Sequence, residues 1–307
     1  MLEDDCIVKV ILGLKVIVTG ANGFIGMHTV RGLLAKGYNV EAVDIGTEKL
    51  KEFSNNKRCA IHEMDILDKD FGNLIEIGDK VLHLAAIARF EAAEPDPQRA
   101  VRVNVEGTLN IIRACIDKKA NRLVYSSTGS VYSLSAPVPI REDAPRDPSS
   151  TYGLTKKMAE DWIMFYGSQL PYVILRYGYI YGKSKDWGAV GAFLKRLSNN
   201  QQPVVFGGNQ TNDFVYVKDV VKANLLALET VYTNMAYNIG MGRGTSIKDV
   251  CEYCIKAMKS NLKMKIEPAR SFDYPVFVYD ISRARTLLRF EPEWNVLDGI
   301  MDMVKEL

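Results

Sequence analysis

A tyrosine four residues ahead of a lysine can move protons. On a helix the two side chains share a face, and an ammonium beside a phenol favours the phenolate. The 307-residue chain holds three such pairs, Tyr152/Lys156, Tyr179/Lys183 and Tyr181/Lys185. Only Tyr152 opens a stretch with helical patterning, 152–169, whereas the other two flank Gly182 in a segment that reads as a loop. Tyr152 is therefore the candidate general base, and Lys156 the cation that makes a phenol usable near neutral pH. A hydroxyl would complete the set, and Ser126, Ser127 and Thr128 offer three at the end of an apolar run. The plainer reading of these three is a loop satisfying its own backbone, which is what Ser127 is expected to do.

A second constellation binds rather than reacts. Thr19-Gly20-Ala21-Asn22-Gly23-Phe24-Ile25-Gly26 joins a β-branched run to a helical stretch. Glycines placed there let the chain turn tightly and bring backbone amides against a pyrophosphate at the helix N-terminus. The motif gains weight from Asp44, which ends the next apolar run 18 positions beyond Gly26. A carboxylate there accepts hydrogen bonds from ribose hydroxyls and repels a 2′-phosphate. No arginine follows it closely, so the cofactor expected is NAD rather than NADP.

Positioning these groups takes a sheet. From 14 to 176 short β-branched runs alternate with amphipathic stretches, the pattern of βαβ units. Strands are expected at 15–19, 39–44, 59–64, 80–85, 122–126 and 172–176, and their near-continuous apolar character suits strands covered on both faces. The clearest helix is 98–119, with Val101, Val105, Leu109, Ile112 and Cys115 in one stripe. Six strands with right-handed crossovers make an α/β fold, a doubly wound parallel sheet of Rossmann type. Beyond Arg176 the rhythm loosens, with helices expected near 191–197, 217–230 and after Asn295. The division expected is a dinucleotide-binding domain over 1–176 and a smaller mixed lobe for substrate over 177–307, from which a strand or helix can return to the main sheet.

Composition narrows the classes. The chain is 47% hydrophobic and 25% charged, with a net charge of +2, an ordinary globular balance without a basic block for nucleic acid or an anionic membrane. The apolar run 6–18 is interrupted by Lys9 and Lys15, too short to span a bilayer and wrongly flanked for a signal peptide. Cys6, Cys59, Cys115, Cys251 and Cys254 are an odd, scattered set that fits a reducing, cytoplasmic setting. Cys251 and Cys254 form a CxxC, but Ile247, Val250, Ile255 and Met258 share their helical spacing, so a buried helix face is expected. His28, His62 and His83 lack ligand-spaced partners, and no metal site is expected.

The glycine spacing, Asp65 in Met64-Asp65-Ile66-Leu67, His83-Leu84-Ala85-Ala86, Asn104 in Val103-Asn104-Val105-Glu106-Gly107-Thr108, and Tyr152 with Lys156 resemble the extended short-chain dehydrogenase/reductases. More narrowly, almost the whole chain resembles their nucleotide-sugar epimerase/dehydratase branch, of UDP-glucose 4-epimerase type. The resemblance implies that NAD lies against Gly20, Gly23, Phe24, Ile25, Gly26, Asp44, Asp65, Ile66, Leu84, Ala85, Ala86, Asn104 and Ser126, with Asp65 on the adenine amino group and Asn104 supporting the catalytic helix. It implies Thr128, Tyr152 and Lys156 as catalytic residues, Thr128 holding the reacting sugar oxygen and Lys156 also the nicotinamide ribose. It also implies a homodimer formed through the helices 98–119 and 152–169.

Two departures mark the substrate side. Members that eliminate water carry an Asp-Glu pair after the hydroxyl residue, whereas this chain has Gly129 and Ser130, so dehydration is disfavoured. Where many relatives carry an asparagine and an arginine toward the substrate diphosphate, this chain has Tyr179 and Asn212. Arg89 and Arg270 are the candidates to supply the missing charge, with solvated surface arginines as the alternative. The activity expected is C4 epimerisation of a nucleoside-diphosphate sugar. A reductase or dehydrogenase with exchangeable cofactor and a non-catalytic NAD(H) binder are the alternatives.

Overall fold

The computed structural model describes residues 15–88, 90–185, 187–269 and 275–305. They form two compact units, one of 15–133, 145–176 and 223–237, the other of 134–144, 177–222 and 238–305. The units are interleaved along the chain.

The first unit is built on seven strands: β1 (Lys15–Thr19), β2 (Asn39–Asp44), β3 (Cys59–Glu63), β4 (Lys80–His83), β5 (Arg122–Thr128), β6 (Tyr172–Tyr177) and a late strand, Met235–Ile239. Spatial order runs from the late strand through β6, β5, β4, β1 and β2 to β3. The pairs β3–β2, β2–β1, β1–β4 and β4–β5 are all parallel. The chain reverses its direction of winding between β1 and β4, which is where a doubly wound sheet opens a ligand crevice at its carboxyl edge. The seventh strand joins from far along the sequence, beyond the six that patterning marks.

Helices follow the strands. They are α1 (Phe24–Ala35), the short α2 (Phe90–Ala93) and α3 (Pro97–Val101), then α4 (Gly107–Asp117) and α5 (Thr151–Phe165). The helix expected at 98–119 is interrupted by a π-helical segment, Arg102–Glu106. The helix expected at 152–169 ends at Phe165, where the next residue, Tyr166, leaves helical geometry. One face of the sheet, with Ile17, Val43, Val81, Leu123, Tyr125 and Ile174, packs on Ile111, Ile112 and Cys115 of α4 and Ala159 and Ile163 of α5. That burial is the main force holding α5 against the strands that carry its partners.

The second unit is a set of small sheets and helices. Tyr179–Tyr181 (β7), expected as loop, is a strand that pairs in parallel with Phe214–Tyr216, its register partner for Tyr179 being Phe214. Thr211–Asn212 pairs antiparallel with Thr245–Ser246 and parallel with Val276–Phe277. Asp213, wholly buried between these strands, accepts hydrogen bonds from the backbone N–H groups of Met241, Gly242 and Tyr279. Burial pushes its carboxyl up to about 7 against those three donors. Cys251 and Cys254 lie on the buried face of the helix Ile247–Ala257. Asp219 accepts from the backbone of Glu293 and Trp294, anchoring the turn before the last helix, Val296–Val304. Among the described residues no helix is long and apolar enough to cross a membrane, and no cluster of His, Cys, Asp and Glu is disposed to hold a metal ion.

Candidate active site

The glycine loop leaves β1 with Gly20 at φ +69°, where a Cβ would fall 2.6 Å from the Ala85 nitrogen. Only glycine gives both the left-handed turn and this approach to the chain after β4. At Gly26 a Cβ would run into the carbonyls of Gly20 and Ala21, so the helix seats directly on the loop. Gly23 caps α1 with no side-chain acceptor and no acidic residue in the first turn. An N-terminus left this way presents unsatisfied N–H groups and the positive end of the helix dipole, the environment an anionic diphosphate needs. Phe24 and Ile25 open α1, half-buried.

Asp44 ends β2 and accepts from the backbone of Asn22 at 2.9 Å and Ile45 at 2.8 Å, tying the second strand to the glycine loop. Burial raises its carboxyl from the usual range while those N–H groups pull it back. Asp65 follows β3, is exposed, and accepts from the Leu67 nitrogen. Its neighbour Ile66 is buried in the core against Gly107. Leu84, Ala85 and Ala86 follow β4, half-buried, and Ser126 lies in β5. These positions therefore stand at the carboxyl ends of five neighbouring parallel strands. Uncapped α1, the glycine cradle and the carboxylate of Asp44 together fit a dinucleotide.

Thr128 and Tyr152 meet beside this edge. β5 continues through Thr128, two residues beyond the expected end, and Ser127 is part of the strand rather than a loop. A short turn, Gly129–Val131, follows. The first turn of α5 seats on that turn because Gly153 has no side chain, since a Cβ there would collide with the Ser130 carbonyl. Ser150 caps the helix by accepting from Gly153, and Glu94 accepts from both the backbone and the hydroxyl of Thr151. Tyr152 is thereby delivered to the side of Thr128, whose hydroxyl acts to lower its phenol. Burial holds the phenol up at about 12, and the Thr128 hydroxyl works against that rise.

Lys156 is 2% exposed, with Nζ 4.1 Å from the centre of the Tyr125 ring. Burial brings its ammonium down to about 7, opposed by the charge of Glu160 one turn further along α5. Lys156 is not among the groups that move the Tyr152 phenol, so in the protein alone the expected lowering of that phenol comes from Thr128. Asn104, 1% exposed in the π segment, donates to the Thr155 hydroxyl at 3.0 Å, and Thr155 donates to the Tyr152 carbonyl.

Sequence reasoning missed Glu160. Its fully buried carboxylate accepts from Ser127 Oγ, from Arg176 Nε at 2.9 Å and Nη2 at 2.7 Å, and from Arg146 at 3.0 Å. Ser127, adjacent to Thr128, is thus held from α5 rather than by its own backbone. The available signal was spacing, because Glu160 continues the Tyr152/Lys156 face by four more residues.

The candidate substrate residues Tyr179 and Asn212 belong to the second unit. Tyr179 is 41% exposed and packs edgewise on Phe277, and Asn212 is buried with no hydrogen-bond partner for its Oδ1. Arg89 and Arg270 lie outside the described residues.

Sheet order and the glycine cradle, with Thr128, Tyr152 and Lys156 gathered beside them, define a dinucleotide-binding α/β framework of Rossmann type. The profile of the NAD dependent epimerase/dehydratase family matches residues 16–240, and the chain belongs to that family. It is similar to a Methanocaldococcus jannaschii protein assigned as a UDP-glucose 4-epimerase, 34% identical over 299 residues that cover 94% of this chain and 97% of that one. Among solved structures it resembles the UDP-glucose 4-epimerase of Thermotoga maritima with UDP-glucose, at TM-score 0.88 and 30% identity over 95% of this chain and 98% of that one. A tyrosine-to-phenylalanine mutant of the UDP-glucuronic acid 4-epimerase of Bacillus cereus, in complex with UDP-4-deoxy-4-fluoro-glucuronic acid and NAD, matches at TM-score 0.88 and 30% identity, over 95% and 99%.

Proposed function

We propose that this chain interconverts the C4 epimers of a nucleoside-diphosphate sugar, holding NAD throughout the cycle. The observation that carries this reading is the half-buried Tyr152 phenol set where the Thr128 hydroxyl acts on it, with Lys156 sealed one turn further on, at the sheet edge that carries the glycine cradle. Relatives that act on UDP-linked sugars support the substrate class, and UDP is the nucleotide to test first.

In this reading the N-terminal amides of α1 bind the dinucleotide's diphosphate, Asp44 its adenosine ribose and Lys156 its nicotinamide ribose. Bound NAD supplies the hydride acceptor, the matching donor and a positive charge beside the phenol. Tyr152 Oη takes the proton from the sugar O4 and later returns it. A phenol held near 12 serves as base only where positive charge gathers around it, and in this reading Lys156 and the bound cofactor supply that charge together. Thr128 holds the phenol and the sugar oxygen in one line. The turn after Thr128 offers Gly129 and Ser130, with no carboxyl group to drive elimination of water.

The test needs no added cofactor. Purified protein incubated with UDP-glucose, UDP-N-acetylglucosamine or UDP-glucuronic acid should yield the 4-epimer by proton NMR, and denaturation should release stoichiometric NAD for mass spectrometry. Protein that arrives empty and consumes NADH with every turnover is a reductase instead. Bound NADPH contradicts the role given to Asp44. Tyr152→Phe should lose about 10²–10⁴-fold in kcat while retaining NAD. We also propose a homodimer joined through α4 and α5, since α5 leaves Trp162 and Phe165 38% and 71% exposed.

A further inference from the structure

A histidine that the reaction does not use sits at the centre of the first unit. His83 ends β4, is 1% exposed, and lies in register with Thr19 of β1 and Tyr125 of β5. Its Nδ1 is 2.7 Å from the Thr19 hydroxyl and its Nε2 is 3.0 Å from the Thr108 hydroxyl. With the Thr108 hydroxyl directed at the Asn104 carbonyl at 2.7 Å, its oxygen is left to accept from His83, the arrangement in which Nε2 carries the ring's proton. Nδ1 is then an acceptor for Thr19, whose own oxygen accepts from the Ala85 N–H.

From Asn104 the chain of bonds continues. The π segment, whose wider turn closes from the Gly107 N–H to the Arg102 carbonyl, holds Asn104 so that its side chain serves two elements. Oδ1 accepts from the Ile87 N–H at 2.8 Å, and Nδ2 donates to the Ile87 carbonyl and to Thr155, which donates to the Tyr152 carbonyl. One end of the path touches the turn after β4 at Ala85, and the other fixes the turn of α5 that carries Tyr152.

We propose that His83 is a positioning residue for the reaction: its neutral imidazole, fixed as the Nε2–H tautomer between Thr19 and Thr108, sets where α5 holds Tyr152 relative to the chain after β4. The inference rests on the reading of Tyr152 as the proton-transferring group. The titratable groups facing the ring are Lys156 from α5 and Tyr125 from β5, the latter with its ring centre 5.5 Å away. Burial and the Lys156 charge both act to keep the imidazole neutral, pushing it down to about 3. A second proton on the ring would set N–H against the hydrogen that Thr19 donates.

Two measurements test it. With ¹⁵N-labelled histidine only His28, His62 and His83 give signals. His83 should show a protonated Nε2 and a bare Nδ1 with no titration between about pH 5 and about pH 9. A Nδ1–H tautomer, or titration near the ordinary histidine value, overturns the proposal whatever the enzyme does. The second uses side-chain reach, because the amide of His83→Asn stands near Nδ1 and that of His83→Gln near Nε2. Asn should lower kcat by about 10–100-fold with KM and bound NAD unchanged, and Gln should restore kcat to within about fivefold of the parent. Equal losses in the two variants, or losses that follow their melting temperatures, reduce His83 to a core residue. A parent protein that turns over no nucleotide sugar removes the reading on which the role rests, and the role with it, and leaves the tautomer standing as structure.

Discussion

At the scale of single residues, Lys156 shows how a site is maintained against stability. Its ammonium falls to about 7 in the fold, from 10.5 in an unfolded chain. The unfolded state therefore binds that proton more strongly, so the cost is present in full below about pH 7 and fades as pH climbs toward the unfolded value. Lys156→Met should stabilise nucleotide-stripped protein by about 1–4 kcal/mol at about pH 6, less at about pH 10, while abolishing turnover. Urea denaturation at the two pH values checks it, and a loss of stability at the lower pH refutes it. Tyr152 was legible against its two decoys because only its lysine falls on a helix face. Glu160 was not, because its partners Arg176, Arg146 and Ser127 come from a strand, a loop and another strand, and no local pattern joins them.

At the scale of elements, the seat of α5 against the turn after β5 is as important as the residues it carries. Gly153→Ala places a methyl group on the Ser130 carbonyl and must push the first turn of α5 outward. The expected result is a kcat loss of about 10–100-fold with far-UV circular dichroism unchanged, and full activity would show that the seat is slack. In the second unit Asp213→Ala leaves three backbone N–H groups without an acceptor. It should cost about 2–4 kcal/mol in guanidinium denaturation, with Asp213→Asn costing less because one carbonyl oxygen remains. Strands β1 and β2 could be read from sequence because buried parallel strands are continuous runs such as Val16-Ile17-Val18. β7 could not. Its three residues lie between Gly178 and Gly182, and what makes them a strand is Phe214–Tyr216, which no short window contains.

At the scale of the whole molecule, the apolar side chains left on α5 carry the association proposed above. Trp162, Phe165 and Tyr166 form a ring cluster, and Phe165→Glu should yield monomers in analytical ultracentrifugation while the parent sediments as a dimer. A parent that is already monomeric rejects that face as an interface. The sequence reading placed one boundary at Arg176, where local rhythm changes; the return of 223–237 and the departure of 134–144 depend on pairings formed far along the chain. That threading bears on how such proteins can be recombined. Passing between units at 133/134, 144/145, 176/177, 222/223 and 237/238 means that a chimera exchanging one relative's second unit for another's needs matched crossovers at all five seams. A single splice after Arg176 would leave the large sheet without its seventh strand's native sequence context, so the second unit is altered by point substitution more readily than by module exchange.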